Sequence, residues 1–409
     1  MMSKATTTRE TRPNDHPLRI AFVTETYPPE VNGVSMTVAR VVEGMRERGH
    51  RVQLVRLRQS TADAPAHTDA YHEVLMRGLP IPRYPDLKMG LPQTGALFDL
   101  WSAQRPDLVH IATEGPLGWS ALRAARRLGV PVSSDFRTNF HAYAQHYGIS
   151  LLKRPVLAYL RYFHSRTACT MVPTESLRRE LAAQGFRDLS VVARGVDTVR
   201  FHPAKRSTEL RRQWGANDDD TVALCVGRLA PEKNLNALVS AYQAMHRIQP
   251  RTRLVIVGDG PARHALQAAC PQAILAGSRT GEDLPVHYAS ADAFLFPSLT
   301  ETFGNVTPEA MASGLPVLAY DYAAAAQLIE PGNNGLLATY GAAPDFISLA
   351  ERLVADPQHA RRMGGAARQT AERLGWDTVI GQVEALFNAV ARGGKGAIAL
   401  PRSPAVAKA

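Results

Sequence analysis

The sequence predicts an α/β protein with two doubly wound domains, and three observations support this prediction. The chain has 409 residues, about twice the length that one ordinary hydrophobic core serves. Short apolar runs rich in β-branched residues alternate with helical patterns, which is typical of parallel sheets covered by helices on both faces. The alternation runs twice, with a break near residues 193–203.

The predicted strands are apolar runs bounded by turn residues or helix-start signals. Those of the first half are Arg19–Thr24, Arg51–Leu57, Leu108–Thr113, Pro131–Ser134 and Thr170–Pro173. Those of the second half are Val222–Val226, Arg253–Val257, Ala273–Ala276, Ala293–Phe296, Pro316–Ala319 and Gly335–Ala338. Parallel sheets bind ligands beyond the carboxyl ends of their strands. We therefore expect the motifs that follow these strands to meet in a cleft between the domains.

The domain boundary is predicted near residue 195, inside ARGVDTVRFHP. Residues 1–18 are polar and predicted to be flexible. Residues 19–195 form the predicted N-terminal domain, and residues 196–376 form the C-terminal domain. A helical pattern predicts that residues 377–392 form a helix that crosses back to the N-terminal domain. Residues 393–409 lack periodicity and are predicted to be disordered.

The composition indicates a cytoplasmic globular protein, with 45% hydrophobic and 21% charged residues. The N-terminus lacks the apolar core of a signal peptide. No apolar run reaches the roughly 20 residues that span a bilayer. Three cysteines are too few and too scattered for a disulfide framework or a zinc site.

The net charge of +10 is uneven, because residues 1–190 carry +8 of it. Such a surface suits an anionic membrane or a phosphorylated substrate, or serves solubility alone. The chain has no zinc-finger spacing, RNA-recognition motif or basic–aromatic array. We therefore expect no nucleic-acid partner.

The stretch SLTETFGNVTPEAMASGLPV (298–317) places two glutamates around a predicted helix start. Pro308 is tolerated only in a first helical turn, so the helix is expected to begin near Val306 or Thr307. Backbone N–H groups at such a start favour an anion. The carboxylates of Glu301 and Glu309 suit neutral hydroxyl groups instead, as on a sugar and a ribose. The alternative is a capping Glu309 and a solvated Glu301.

Two further loops follow predicted strands. VGRLAPEKN (226–234) puts Arg228 and Lys233 at a carboxyl-end loop, where two cations suit a diphosphate or form an exposed basic surface. TETYPPEVNG (24–33) ends in Gly33 before an amphipathic helix, and a glycine there lets the backbone approach a ligand closely. This second pattern is common in such loops and is weak by itself.

Several ordered motifs together resemble the retaining nucleotide-sugar glycosyltransferases of the GT-B fold, specifically glycosyltransferase family 4. They are ETYPPEVNGVSMTV, ATEGPLGWSALRAARRLGVP, RGVDTVRFHP, VGRLAPEKN, VIVGDGPAR and ETFGNVTPEAMASGLPV. The resemblance covers roughly residues 18–392. Within the family it is similar to the bacterial mannosyl-, glucosyl- or sulfoquinovosyl-lipid transferase branch.

The resemblance implies a GT-B fold with two Rossmann-like domains that face an interdomain cleft. It implies that Glu301 holds hydroxyls of the transferred sugar and that Glu309 holds the ribose. Arg228 and Lys233 would neutralise the diphosphate. The remaining donor-binding positions that it implies are Gly33, Phe303, Gly304, Asn305 and Val306.

One segment departs from the family pattern. In SSDFRTNFHAYAQHYG (133–148), Arg137 stands where the family often has a histidine, and His141 follows four residues later. If the segment is helical, the two side chains share a face, and either is a candidate catalytic residue beside Glu301. The alternatives are an ordinary His141 and an inactive scaffold that keeps the fold.

The resemblance implies no cofactor beyond the donor and no metal. Asn217–Asp220 (NDDD) precedes a strand and is interpreted as a turn, not as a metal-binding motif. VGDGPAR (257–263) lacks the third glycine of a dinucleotide fingerprint, so a nicotinamide cofactor is not expected.

The segment GISLLKRPVLAYLRYFHSRTA (148–168) predicts a helix with an apolar stripe, Leu152, Val156, Leu160 and Phe163. Cations and tyrosines lie off the stripe: Lys153, Arg154, Arg161, Tyr159 and Tyr162. This pattern favours peripheral association with an anionic membrane. A helix whose stripe faces the core and whose outside is basic is the alternative.

These inferences predict a retaining hexosyltransferase at the cytoplasmic face of the inner membrane. Its donor is a GDP- or UDP-linked mannose or glucose, and its acceptor is a lipid-linked or glycolipid hydroxyl. A soluble glycan acceptor is the first alternative. A glycosidase that uses Glu301 and Glu309 is disfavoured, because hydrolysis of a plain glycoside needs no diphosphate-binding cations.

Overall fold

The computed structural model describes residues 16–30, 32–81, 84–137 and 153–396, without the side chains of 81, 84–87 and 153. The described chain divides into two compact units. The first unit contains the described residues up to Asp135, Arg166–Cys169 and the chain from Val383 onward. The second unit contains Phe136–Ser165 and Thr170–Gln382, so residues 170–195 group with it.

The strands are β1 (Arg19–Thr24), β2 (Arg51–Leu57), β3 (His67–Thr68), β4 (Tyr71–Met76), β5 (Gly78–Ile81), β6 (Tyr84–Gly90), β7 (Leu108–Ile111), β8 (Val132–Asp135), β9 (Cys169–Val172), β10 (Leu189–Val191), β11 (Val222–Val226), β12 (Arg253–Val257), β13 (Ile274–Gly277), β14 (Ala293–Phe296), β15 (Val317–Tyr320) and β16 (Gly335–Ala338).

The helices are α1 (Gly33–Glu47), α2 (Thr94–Ala103), α3 (Pro116–Arg127), α4 (Lys153–His164), α5 (Glu175–Ala183), α6 (Thr208–Gln213), α7 (Leu235–Ile248), α8 (Arg263–Ala269), α9 (Asp283–Ala289), α10 (Val306–Ala312), α11 (Ala323–Leu328), α12 (Ala343–Ala355), α13 (Pro357–Glu372) and α14 (Trp376–Ala391). Short 3₁₀ turns span Pro203–Lys205 and Pro231–Lys233.

Within the first unit, the strands of the eight-stranded sheet have the order β8-β7-β1-β2-β4-β3. Its pairs are parallel except β3 with β4. The chain leaves β1 through α1 toward β2 and later returns to β7 on the other side of β1. The strand order therefore reverses between β1 and β7, where open α/β sheets form their ligand crevices.

The sheet of the second unit is parallel throughout and has the order β13-β12-β11-β14-β15-β16. Its central strands are buried on both faces: all residues of β11, β14 and β15 are buried, whereas those of the edge strand β13 are partly buried. Here the order reverses between β11 and β14. These two strands carry the motifs VGRLAPEKN and SLTETFGN directly after their carboxyl ends.

The α/β architecture with parallel sheets is confirmed, and each predicted strand lies within two residues of an observed one. Five strands were not predicted: β3, β4, β10 and the two strands of the antiparallel pair, β5 and β6. The sequence of β4, YHEVLM, mixes polar and apolar residues, and the β5–β6 region is rich in proline and glycine. Neither gives the continuous apolar run of a buried parallel strand.

The apolar stripe of helix α4 does not face outward, as contact with a membrane would require. Leu160 and Phe163 are 3% and 0% exposed, and Leu160 packs in a core cluster with Phe136 and Val172. Leu152 lies outside the described residues. The outward side of α4 carries Arg154, Tyr159, Arg161 and Tyr162. The predicted helix is confirmed, but its apolar stripe faces the protein core.

No helix in the described ranges combines the length and the apolar character that a membrane crossing requires.

Candidate active site

The candidate site is built on the β11–β14 edge of the second unit. Because β11 and β14 are hydrogen-bonded neighbours, the loops that follow them are brought together although the paired residues Ala223 and Ala293 are 70 positions apart in sequence. The turn Pro231–Lys233 is tied to the β14 loop by a hydrogen bond from the Leu299 N–H to the Glu232 carbonyl, at 3.0 Å. Both motifs therefore share one end of the sheet.

Glycines let the loop after β11 adopt its path. Gly227 has a φ of +151°, and its carbonyl oxygen would lie 1.9 Å from a Cβ placed on Gly258. A Cβ on Gly260 would lie 2.4 Å from the Leu229 carbonyl. The VGDGP segment after β12 is thus a close-packed support for the VGRL loop. This explains its glycines without a dinucleotide ligand.

The central contact of the site joins Lys233 to Glu301. The Lys233 ammonium donates to Glu301 Oε1, and both side chains are 18% exposed. The Ser298 hydroxyl also donates to Glu301 Oε1, at 2.9 Å. A carboxylate and an ammonium that are both mostly shielded from water attract more strongly than a surface pair. Two predicted site residues from distant motifs therefore form one charged pair.

Arg228 lies on the same loop and pairs with a different carboxylate. Its Nη2 donates to Glu232 Oε1 at 2.5 Å. The Arg228 side chain is 44% exposed, whereas the Glu232 side chain is 5% exposed. Burial raises the pKa of Glu232, but hydrogen bonds from its own backbone and from Arg228 outweigh that effect and lower the pKa overall. Glu232 therefore holds one terminal nitrogen of the guanidinium, while the Arg228 side chain stays partly exposed to solvent.

The turn before α10 contains Phe303, Gly304 and Asn305. Phe303 is buried, and Gly304 has a φ of +89°, a conformation that strains any residue with a Cβ. Asn305 is the residue before α10 and accepts a hydrogen bond from Arg194 at 3.3 Å. Helix α10 begins at Val306, as predicted, but it is only seven residues long. Its dipole is correspondingly a weak source of anion affinity.

Glu309 lies on α10, partly buried, next to Tyr288 of α9. The Tyr288 hydroxyl donates to Glu309 Oε2 at 3.0 Å. Burial raises the pKa of Glu309 to about 7, opposed by the Tyr288 hydrogen bond and the positive charge of Arg200. The pKa of Tyr288 is raised because its ring is buried and lies beside the Glu309 carboxylate. Glu309 therefore changes its charge near neutral pH.

Three predicted site residues lie outside the β11 and β14 loops: Gly33, Arg137 and His141. Gly33 begins α1 in the first unit, where the Asn32 side chain caps the helix by accepting from the N–H groups of Val34 and Ser35. The Arg137 carbonyl accepts a hydrogen bond from the Thr302 hydroxyl at 3.0 Å. This places the start of the segment after Asp135 beside the residue that follows Glu301. His141 lies outside the described residues.

Three residues that contact the site were not predicted. Ser298 contacts Glu301, Tyr288 contacts Glu309, and Arg194 contacts Asn305. Ser298 begins the quoted motif, so its nearness to Glu301 was a usable signal. Tyr288 and Arg194 lie 21 and 111 residues from their partners. No local spacing could have indicated either of them.

The acidic run at Asn217–Asp220 is a turn at the amino end of β11, as predicted. The Asp220 carboxylate accepts from the Asn217 N–H at 2.8 Å, and Arg211 donates to the carbonyls of both residues at 2.7 Å. Within the part of the chain that the structure describes, no group of three or more His, Cys, Asp or Glu side chains is arranged to hold a metal ion.

Two family models match the chain, Glycosyltransferase Family 4 over residues 31–200 and Glycosyl transferases group 1 over residues 206–370. The chain is 37% identical over 382 residues to a GDP-mannose-dependent alpha-mannosyltransferase of Mycobacterium tuberculosis, covering 91% of this chain and 97% of that one. It is 25% identical over 354 residues to an alpha-monoglucosyldiacylglycerol synthase of Streptococcus pneumoniae, covering 83% and 79%.

Among solved structures, the chain is similar to a sucrose-phosphate synthase from Thermosynechococcus elongatus. The TM-score is 0.74 at 19% identity, over 92% of this chain and 100% of that one. At this identity the likeness shows the fold alone.

Proposed function

Because the chain belongs to glycosyltransferase family 4, it is a glycosyltransferase, and we propose that it moves a hexose from a nucleoside diphosphate sugar to a lipid-linked or glycolipid hydroxyl. The observation that carries the proposal is the Lys233–Glu301 pair. It brings a cation suited to a diphosphate and a carboxylate suited to sugar hydroxyls together at one edge of the sheet.

The diphosphate is assigned to Lys233 and Arg228. An ammonium is a compact point charge and a guanidinium is a forked donor, and both suit phosphate oxygens. Both cations follow the same strand, so they can contact neighbouring phosphate oxygens. Negative charge on the diphosphate grows as the sugar leaves, and preorganised cations stabilise that charge more than they stabilise the intact donor.

The sugar and the ribose are assigned to the two glutamates. Glu301 accepts hydrogen bonds from hydroxyls of the transferred hexose, next to the ammonium that contacts the leaving phosphate. Glu309, in its ionised form, accepts hydrogen bonds from the ribose hydroxyls. The backbone of the turn at Gly304 comes close to the donor, which a side chain at this position would obstruct.

The proposed reaction retains the anomeric configuration. The bond between the anomeric carbon and the phosphate oxygen breaks while the bond to the acceptor oxygen forms on the same face. The acceptor proton passes to the leaving phosphate, so no carboxylate nucleophile is needed. We assign no divalent metal to this step, because Lys233 and Arg228 supply the positive charge that a metal would supply.

The donor is assigned as GDP-mannose, with UDP-glucose as the alternative. The 37% identity to a GDP-mannose-dependent alpha-mannosyltransferase supports the first, and the similarity to an alpha-monoglucosyldiacylglycerol synthase supports a glucose donor. The name of the second relative also supports a lipid acceptor.

With a lipid acceptor, we also propose that the enzyme works as a peripheral protein at the cytoplasmic face of the membrane. The outward side of α4 suits that position, because Tyr159 and Tyr162 are 38% and 48% exposed beside Arg154 and Arg161. Tyrosine at a membrane interface and arginine near anionic lipid are both favourable. The membrane contact is therefore basic and aromatic, and the apolar stripe of α4 is not part of it.

A donor screen tests the proposal. Thermal shift with GDP, UDP and ADP identifies the nucleotide that stabilises the wild type, and nucleotide release is then measured from the matching sugar donors with lipid vesicles. We expect a shift with GDP and release from GDP-mannose that depends on lipid, and we expect a smaller shift and slower release in Lys233→Ala. A wild type that is stabilised by no nucleotide and releases none contradicts the proposal.

A further inference from the structure

The motif ATEGPLG and the motif ETYPPEVNG meet in the first unit, at the point where the strand order reverses. Glu25 is the first residue after β1, and Thr113, Glu114 and Gly115 follow β7. Strands β1 and β7 are parallel neighbours, so both segments leave the sheet at the same end. The Glu25 N–H donates to the Thr113 hydroxyl at 2.9 Å.

Helix α3 begins beside this contact without a cap of its own. Its N-cap residue is Gly115, which has no side chain to cap it, and its first turn contains no acidic residue. The Leu117 N–H instead donates to Glu25 Oε1 at 2.8 Å, across 92 residues of sequence. Burial raises the pKa of the Glu25 carboxyl, and the backbone N–H groups of Leu117, Gly90 and Gly118 oppose that effect. An internal carboxylate therefore occupies the position where a helix start would hold an anion.

Two glycines make room for that carboxylate. A Cβ on Gly115 would lie 2.3 Å from Glu25 Oε2, and a Cβ on Gly90 would lie 2.9 Å from Glu25 Oε1. Real Cβ atoms do not approach other atoms as closely as the first distance. An alanine at Gly115 would therefore expel the carboxylate or displace the start of α3.

Glu25 also begins the loop that leads to Gly33. Within this loop the Thr26 hydroxyl donates to Glu30 Oε1 at 2.7 Å. The Asn32 amide donates to the same oxygen at 2.7 Å, while its carbonyl oxygen caps α1 at 2.8 Å. The hydrogen bonds of Glu25 at the start of α3 and those of Thr26, Glu30 and Asn32 at the start of α1 are thus joined through the peptide bond between Glu25 and Thr26.

We propose that Glu25 is a positioning residue for the transfer reaction, an internal anion that closes the start of α3 and fixes the loop between β1 and Gly33. It acts through the loop that it anchors. This inference rests on the proposed function, because the loop ends at Gly33, a donor-binding position that the resemblance to the family implies. The inference also gives the two motifs a shared role, since ETYPPEVNG supplies the Glu25 carboxylate and ATEGPLG supplies the helix start that it caps.

Chemical rescue tests the inference, because acetate is the fragment that Glu25→Ala removes. We expect the variant to melt on the order of 2–8 °C below the wild type, from the loss of a capping interaction. We expect its kcat to fall by about tenfold or more, since misplacement by about 1 Å can cost far more than that. Added acetate should restore both quantities, whereas acetamide and chloride should restore neither.

Three comparisons separate positioning from general damage. Nucleotide affinity should equal that of the wild type, because the assigned nucleotide contacts lie in the second unit. Gly115→Ala should lower kcat without acetate rescue, since its methyl group fills the site, and combining it with Glu25→Ala should add little further loss. Glu43→Ala, on the exposed side of α1 with a side chain 51% exposed, should respond to acetate in neither assay.

An acetate effect on melting without any effect on kcat overturns the positioning role, and so does an unchanged kcat in Glu25→Ala. If Glu25→Ala does not fold, Glu25→Gln replaces it: one amide oxygen still accepts from Leu117, and kcat should fall without a loss of folded protein. An unchanged kcat in Glu25→Gln then overturns the inference. A failure of the proposed function is distinguishable, because the wild type would then transfer no sugar while acetate still stabilised Glu25→Ala.

Discussion

Nucleotide binding should depend on pH through Glu309. The ribose hydroxyls need an ionised carboxylate as acceptor, and the pKa of Glu309 is raised to about 7 by burial. At pH 6 only about one molecule in eleven is ionised, which weakens binding about tenfold relative to pH 8, or about 1.4 kcal/mol. Above pH 8 the affinity should level off. Tyr288→Phe removes a hydrogen bond that favours the ionised form, so it should shift the transition to higher pH.

Titration calorimetry in two buffers with different ionisation enthalpies measures this linkage. Binding at pH 6 should release close to one proton per nucleotide, and binding at pH 8 close to none. The terminal phosphate of a nucleoside diphosphate titrates near pH 6 as well, so Glu309→Gln is measured in parallel and its proton count is subtracted. Equal proton release by the wild type and Glu309→Gln would refute the assignment of Glu309 to the ribose.

Glu309 should also make the stability of the protein depend on pH, in the direction opposite to nucleotide affinity. The pKa of Glu309 is about 7 in the folded protein against an ordinary value of 4.5, so the folded state binds more protons between these values. Stability therefore falls as pH rises through this window, by up to about 3 kcal/mol. Glu309→Gln should melt higher than the wild type at pH 8 while binding nucleotide more weakly. A lower melting temperature at pH 8 would show that Glu309 is not destabilised by burial.

Four further predictions concern the donor, the metal and the membrane. Lys233→Ala should weaken nucleoside diphosphate binding by about 1.5–3 kcal/mol, and unchanged affinity in both Lys233→Ala and Arg228→Ala by calorimetry would exclude this diphosphate site. Glu301→Gln should lower kcat but keep or tighten nucleotide affinity, because it frees the Lys233 charge for phosphate; weaker nucleotide binding with normal kcat would reverse the roles. Transfer should continue in excess EDTA, and loss of activity that a divalent cation restores would contradict the metal-free assignment. Replacing Arg154 and Arg161 with Gln should weaken sedimentation with phosphatidylglycerol vesicles by roughly 1 kcal/mol per charge at low salt; identical binding of wild type and variant would remove α4 from the membrane contact.

The parallel sheets were predictable because their strands are continuous apolar runs, as in Val222–Val226 and Ala293–Phe296. The rule that ligands bind at the carboxyl ends of such strands then indicated where Glu301 and Lys233 would lie. Their direct pairing was not predictable, because it depends on β11 and β14 being neighbours. Chain order alone would place β12 or β13 between the two.

Other features depended on packing that no local pattern reports. Tyr288 sits on a short helix 21 residues from Glu309, and only the folded structure brings the two together. The stripe on α4 has the period of any amphipathic helix, so periodicity could not decide between a membrane and a core cluster around Leu160. Glu25 follows an apolar strand like many polar residues, and its role as a cap depends on Gly115 of a distant motif.

The most direct measurement is the fate of the labelled sugar. The wild type is incubated with radiolabelled GDP-mannose and with labelled UDP-glucose, each in the presence of bacterial lipid vesicles, and the organic extract is analysed by mass spectrometry and by NMR of the anomeric proton. We predict one hexose added to a lipid, with the α configuration of the donor retained and no product from Lys233→Ala. A β-linked product would contradict retention. Label confined to free sugar or to water-soluble product, with the extract empty, would contradict the lipid acceptor.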